Sequence, residues 1–194
     1  LDGTLFPYTT LFRSGDAKDV ATACATIHTP ERRYDVINRA LTFYTSHAYV
    51  IENGRPMKLE IPDDADFGGF FKNQLLVRLK SDWELGSNTY RQGALIGIDY
   101  GKYLQGDRSF SVIAEPNERS NVLSFADTRN ILLVHVLNNV RSELYAFRLD
   151  HGRWSKQRVD APKLGTLGVV STDERSDQYF FTYQGFLQPT SLYH

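Results

Sequence analysis

From Asp19 onward, short runs of apolar, β-branched and aromatic residues alternate with turn-forming clusters, and no long stretch keeps the i, i+3, i+4 spacing of an amphipathic helix. The runs recur as a unit. RALTFYTSHAYVIENGRPMKLEI (39–61), NQLLVRLKSDWELGSNTYRQGALIGID (73–99), RNILLVHVLNNVRSELYAFRLDHGRWSKQRV (129–159) and DQYFFTYQGFLQPTSLYH (177–194) each hold an apolar strand, a polar break and a second strand. The first three continue through a turn into another strand. Each unit is led by a further short strand: DVATACATI, ADFGGFF, SNVLSFA and GTLGVVS. Four strands per unit are therefore expected, with units starting near Asp19, Ala65, Asn121 and Gly165, about fifty residues apart.

Individual residues refine this outline. Asn53-Gly54 and Asp150-His151-Gly152 supply residues that tolerate the positive φ of tight hairpins. The connection 28–35, with Thr29-Pro30-Glu31-Arg32-Arg33 at its centre, reads as an exposed loop longer than the others. The uninterrupted apolar run 131–134 predicts a strand covered on both faces. LDHGRWSKQRV (149–159) alternates and is heavily charged, as an outermost strand should be.

Four-stranded antiparallel units repeating every ~40–50 residues are the mark of a β-propeller. The fold expected is all-β: a partial β-propeller of about three and a half four-stranded blades, over 16–62, 63–117, 118–162 and an incomplete 163–194 that stops at its third strand. A propeller closes with ~4–8 blades, so the chain reads as a piece of a longer protein. Residues 1–15 stand apart. TLFPYTTLFRS (4–14) favours β-structure, but Pro7 cannot donate to a ladder, and its back-translation looks like one frame of a common sequencing-library adapter. It is expected to be an artefactual leader and is excluded from fold reasoning.

RALTFYTSHAYVIENG, IPDDADF, LLVRLKSDWEL, GALIGIDY, LQGDRSFSVIAEP, VLNNVRSELY and DQYFFTYQGFLQPTSLY, in this order, resemble the N-terminal propeller of the prolyl oligopeptidase family of serine peptidases, in its bacterial branch. The resemblance runs from about Asp16 to His194. It implies a parent in which a seven-bladed propeller caps an α/β-hydrolase domain carrying a Ser, Asp and His triad. It also implies cleavage of short peptides on the carboxyl side of proline, with the propeller limiting entry to small substrates. This chain would be roughly the second half of that propeller, ending where the parent crosses into its hydrolase domain. No Gly-x-Ser-x-Gly elbow occurs here, nor any alternating β-α pattern, so no catalytic residue is carried over. A non-catalytic propeller that binds a ligand or protein is the alternative reading.

Composition narrows the partners. With 41% hydrophobic and 23% charged residues and a net charge of −1, the chain has the make-up of a soluble globular protein without a basic face. Nucleic acid and anionic lipid are not expected partners, and no apolar window approaches the ~18 residues of a membrane-spanning helix. Compartment stays open between bacterial cytoplasm and periplasm. Cys24 is alone, which excludes an internal disulfide and any CxxC site, and is expected to be a small buried hydrophobe.

Residues of chemical interest read as structural. His28, His47, His135, His151 and His194 lack metal-ligand spacing. His135, within LLVHVL, is expected to be a core imidazole bonded to a carbonyl, the alternative being a channel-facing residue. The stretch 62–66, with Asp63, Asp64 and Asp66, lacks a calcium-loop progression and reads as a solvated link between blades. Asp82 and Glu84, flanking Trp83, share a strand face without a cleft between them. Trp83 and Trp154 are expected in the core. The charged run 172–177 reads as an exposed loop between the first two strands of the last unit. No catalytic, cofactor or metal residue is assigned, and no cofactor is expected.

Overall fold

The computed structural model describes residue 16 and residues 18–194; the expected leader, 1–15, lies outside the described residues. The first sheet holds β1 (Ala21–His28), β2 (Arg33–Ala40), β3 (Ser46–Glu52) and β4 (Arg55–Lys58) in sequential antiparallel order. The second is built from β5 (Asp66–Phe71), β6 (Gln74–Arg78), β9 (Leu95–Asp99) and β10 (Ser111–Ala114). A small hairpin, β7 (Trp83–Leu85) with β8 (Asn88–Tyr90), is inserted between β6 and β9, and a helical turn α1 (Tyr100–Leu104) between β9 and β10. The third sheet is again sequential: β11 (Ser120–Asp127), β12 (Leu132–Asn138), β13 (Arg141–Asp150) and β14 (Arg153–Arg158). The fourth has three strands, β15 (Gly165–Thr172), β16 (Tyr179–Gly185) and β17 (Ser191–Tyr193). This is the partial propeller expected: three whole four-stranded blades and part of a fourth.

Each neighbouring pair of sheets shares a core. The period-2 alternation of a strand sends consecutive residues to opposite faces, so one blade feeds two cores at once. β12 and the residue before it show this: Leu132 and Val134 pack towards the second blade, while Ile131 and Leu133 pack towards the fourth. All four are buried, each worth about 1.5–3 kcal/mol relative to exposure. Between the first and second blades, Tyr34 stacks on Phe70 with ring centroids 3.6 Å apart. The outermost β14 is charged and largely exposed, which blunts the sheet edge. Gly68 lets the second and third blades close up, since a β-carbon there would lie 2.9 Å from the Phe125 ring.

Three expectations change. The connection expected as a long loop is a tight hairpin: His28 pairs with Arg33, and the Thr29 hydroxyl accepts from the Arg32 amide and closes the turn. The longest excursions instead lie in the second blade, at the β7–β8 hairpin and α1. Two three-residue strands and a five-residue helix are too short to show a period. Cys24 is half-buried, not buried. It sits on β1, an edge strand whose exposed and half-exposed residues alternate.

Candidate functional site: the two faces of the blade arc

Strand direction divides the arc into two faces. In an antiparallel four-stranded blade, the turns after the first and third strands lie at one end, here called the turn face. The turn after the second strand and the link to the next blade lie at the other, the linker face. His28, Thr29, Pro30, Arg129, Glu174 and Arg175 surround one opening of about 520 Å³. The β1–β2, β11–β12 and β15–β16 turns therefore converge, which puts the first strands on the inside of the arc. Asp127, at the end of β11, is held there with its carboxyl pushed up to about 6, by burial first and by Glu174 second.

The turn face is stitched blade to blade. Between the first and second, Tyr34 Oη donates to the Lys72 carbonyl (3.4 Å) and Tyr100 Oη to Glu52 Oε1 (2.9 Å), the same oxygen that receives Arg32. The Arg32 guanidinium lies 4.6 Å above the Tyr34 ring. Lys72 Nζ then reaches the Leu149 carbonyl of the third blade. Asp177 of the fourth blade accepts from Thr128 Oγ1 (3.1 Å), the Asn130 amide (2.8 Å) and Arg148 Nη1 (3.3 Å) of the third. Burial opposes its ionisation, but the bonds from Asn130, Thr128 and Arg148 outweigh that and hold the carboxyl below its ordinary range.

The linker face carries apolar tips. Phe43 (88% exposed) and Tyr44 cap the β2–β3 turn, Val140 (92%) the β12–β13 turn, and Phe186 (100%) and Leu187 the β16–β17 turn; Val20 and Leu164 lie at entries to β1 and β15. Among the described residues, Leu104 is the only other exposed large apolar side chain outside a strand. Val140 stands at φ 63° after Asn139 at φ 46°, a hairpin position that favours glycine and is unfavourable for a β-branched residue.

Beside these tips, at the seam of the second and third blades, Arg78, Lys80, Gln92, Asn117, Ser120 and Asn121 line most of a cleft of about 490 Å³. Arg78 Nη2 lies 2.6 Å from Asp66 Oδ2 and Lys80 Nζ 2.6 Å from Oδ1, while Arg78 Nη1 donates to the Leu123 carbonyl across the seam. Burial raises the Asp66 pKa, but the two cations outweigh it and hold it low. Neither cation is singled out by the sequence reading. Their signal is legible once register is known: Arg78 stands opposite Asp66, and Lys80 is two residues on.

The structure does not gather the histidines. His47 pairs with Asp63 (3.2 Å), His28 borders the opening on the turn face, His151 sits at φ 48° in the β13–β14 turn, and His194 lies against Phe180. His135 is buried, which lowers its pKa, and its Nε2 meets the Ser142 hydroxyl at 3.1 Å, so its partner is a hydroxyl and not a carbonyl. The acids of 62–66 are engaged, not simply solvated: Asp63 with His47 and Lys58, Asp64 with Ser81, Asp66 with Arg78 and Lys80. Asp82 accepts from the Gln92 amide (2.7 Å) and Arg91 and forms no dyad with Glu84. Trp83 packs beside Phe110 and Trp154 on Phe71, both in blade cores. The run 172–177 does join β15 to β16, but Asp177 is a tie to the third blade and not free charge. Among the described residues, no three His, Cys, Asp or Glu side chains are grouped to hold a metal ion.

Comparison with known proteins follows the fold. The family described as prolyl oligopeptidase, N-terminal beta-propeller domain, matches residues 92–194, just over half of the chain. The uncharacterized peptidase y4nA of Sinorhizobium fredii (strain NBRC 101917 / NGR234) is 33% identical over 192 residues, covering 94% of this chain and 26% of that protein. The uncharacterized peptidase RP174 of Rickettsia prowazekii (strain Madrid E) is 22% identical over 159 residues, covering 78% and 22%. Among solved structures, a post-proline cleaving enzyme from Rickettsia typhi superposes with a TM-score of 0.80 at 18% identity, over 91% of this chain and 27% of that one. The chain thus spans about a quarter of the length of these relatives.

Proposed function

Because the chain belongs to the prolyl oligopeptidase N-terminal β-propeller family, we propose that it is the propeller part of a serine peptidase of that type, capping an α/β-hydrolase domain and admitting only short peptides to it. The observation that carries the reading is the concentration of apolar tips on the linker face. A chain entering a propeller at a first strand and leaving after a fourth does both on that face, so a domain joined to the ring would rest there. Phe43, Tyr44, Val140, Phe186 and Leu187 are then the side chains it would cover. Exposed apolar surface concentrated in this way marks an interaction site, and the strained backbone at Val140 fits a residue kept for contact more than for local stability.

In this role the chain contributes no bond-breaking group; it contributes access. Peptides would pass the opening bounded by His28, Arg129, Glu174 and Arg175 and run along the first strands inside the arc. The turn-face ties through Tyr34, Lys72 and Asp177 hold the blades in register, so the passage resists widening and a folded substrate is shut out. The test is the reading frame beyond His194 in the source DNA. It should encode alternating strands and helices with a Gly-x-Ser-x-Gly elbow; a further run of blades to a stop codon would favour a non-catalytic binding propeller instead.

A further inference from the structure

We propose that the cleft at the seam of the second and third blades is a binding site for a single carboxylate. Its floor is charged and rigid: Asp66 holds both Arg78 and Lys80, and Arg78 is fixed from the far side by the Leu123 carbonyl. Two cations against one carboxylate leave one positive charge unbalanced. Around it stand side-chain donors with no partner of their own: the side-chain carboxamides of Gln92 and Asn121 make no hydrogen bond within the described residues, the Gln92 backbone N–H alone donating to Asp82, and the Asn117 side chain uses only its oxygen, towards the Arg119 amide. Glu115 and Glu118, on the same link, do not line the cleft. One net charge with amide donors suits a monoanion with two in-plane oxygens better than a phosphate dianion.

A close backbone approach fixes the shape of the cleft. Gly93 runs at φ 79°, and a β-carbon there would strike Pro116 at 2.9 Å, so any larger residue would push the wall formed by the link between blades. Both walls belong to four-stranded blades of the described residues. Its position on the linker face rests on the functional reading above for its role: facing a hydrolase domain, it would receive either the C-terminal carboxylate of a short peptide or an Asp or Glu side chain of that domain.

The experiment is saturation-transfer NMR read from the ligand, which tolerates association of the 194-residue chain. Three probes separate the sources: acetyl-Ala-Pro-Ala with a free C-terminus, the same peptide as its C-terminal amide, and acetyl-Ala-Glu-Ala amide. The free acid, the glutamate peptide or both should show transfer and the uncharged amide none. Preference for the free acid assigns the site to peptide termini, preference for the glutamate peptide to an acidic side chain. Lys80→Gln should weaken binding about tenfold, the size of one lost charge-assisted contact, and Asn121→Asp, at an exposed position that leaves the Arg78 ties intact, should abolish it. Equal transfer to acid and amide, or unchanged binding in both variants, overturns the site. Displacement of the peptides by inorganic phosphate at lower concentration overturns its carboxylate class. None of these outcomes depends on whether a hydrolase domain follows, so the cleft and the functional reading can fail separately.

Discussion

Tyr34 and Tyr44 lie ten residues apart in the first blade and at opposite faces of it. Tyr34, at the turn face, is 1% exposed, stacked on Phe70, covered by Arg32 and bonded to the next blade. Burial pushes its hydroxyl pKa up to about 12. Tyr44, at the linker face, is 81% exposed. The same residue type is in one place part of the fold and in the other a surface offered to something else. The turn face spends its polar groups on neighbouring blades, whereas the linker face, apart from the Arg78 tie to the Leu123 carbonyl, presents exposed apolar tips and a cleft whose two cations share one carboxylate. Stability and interaction are thus separated along the strand axis.

Substitutions test that separation, and the largest effect should come from the turn face. Tyr34→Ala should cost about 3–5 kcal/mol in chemical denaturation, whereas Tyr44→Ala should stay within about 0.5 kcal/mol. Comparable losses at both positions would erase the distinction.

Two carboxyls on or near the turn face should respond to pH in opposite senses. The Asp177 pKa is lowered on folding, so its ties stabilise at neutral pH and are lost as pH falls through the folded value, below the usual carboxylate range. Asp177→Ala should cost about 1–2 kcal/mol at pH 7 after allowing for its partial exposure, and little in strong acid. The Asp127 pKa is raised to about 6, so the folded state gains most below the ordinary carboxylate value and loses that gain as pH rises through 6. Asp127→Asn should therefore stabilise the chain at pH 7, by about 1–2 kcal/mol, and flatten the stability profile between about pH 4 and 6. A destabilised Asn variant at pH 7 would show that the carboxylate is needed as an anion.

The smallest effects belong to the linker face. Val140→Gly should raise stability by up to about 1 kcal/mol by relieving the positive φ. Replacing Phe43, Tyr44 and Phe186 together by Ser should leave the unfolding midpoint nearly unchanged while reducing self-association in sedimentation velocity. Persistent association of that triple variant would move the sticky surface to the open side of the fourth blade, where Val170, Phe180 and Leu192 are exposed.

Much of the fold was open to reading because its signals are local. Asn53-Gly54 and His151-Gly152 take up positive φ in the hairpins their composition demands, and the run 131–134 is buried because both its faces meet another blade. The 29–32 turn reads as a loop because nothing in its composition marks a glycine turn; it closes through bonds between Thr29 and Arg32, the Thr29 amide donating to the Arg32 carbonyl and the Thr29 hydroxyl accepting from the Arg32 amide. The β7–β8 hairpin leaves no signal in the sequence because strands of three residues show no period. The run 172–177 reads only as an exposed loop because the partners of Asp177 at 128, 130 and 148 are adjacent only after the third and fourth blades pack.

The amino-acid sequence by itself determined the four-stranded repeat, the hairpin turns, the family and the lack of a nucleophile elbow, all of which rest on neighbours a few residues apart or on order along the chain. Only the tertiary structure decided which face carries the exposed tips, and that Arg78 and Lys80, both held by Asp66, share a cleft with Asn121. Those facts depend on strand direction and on contacts between blades, and for a contact spanning tens of residues no local preference records which groups will meet.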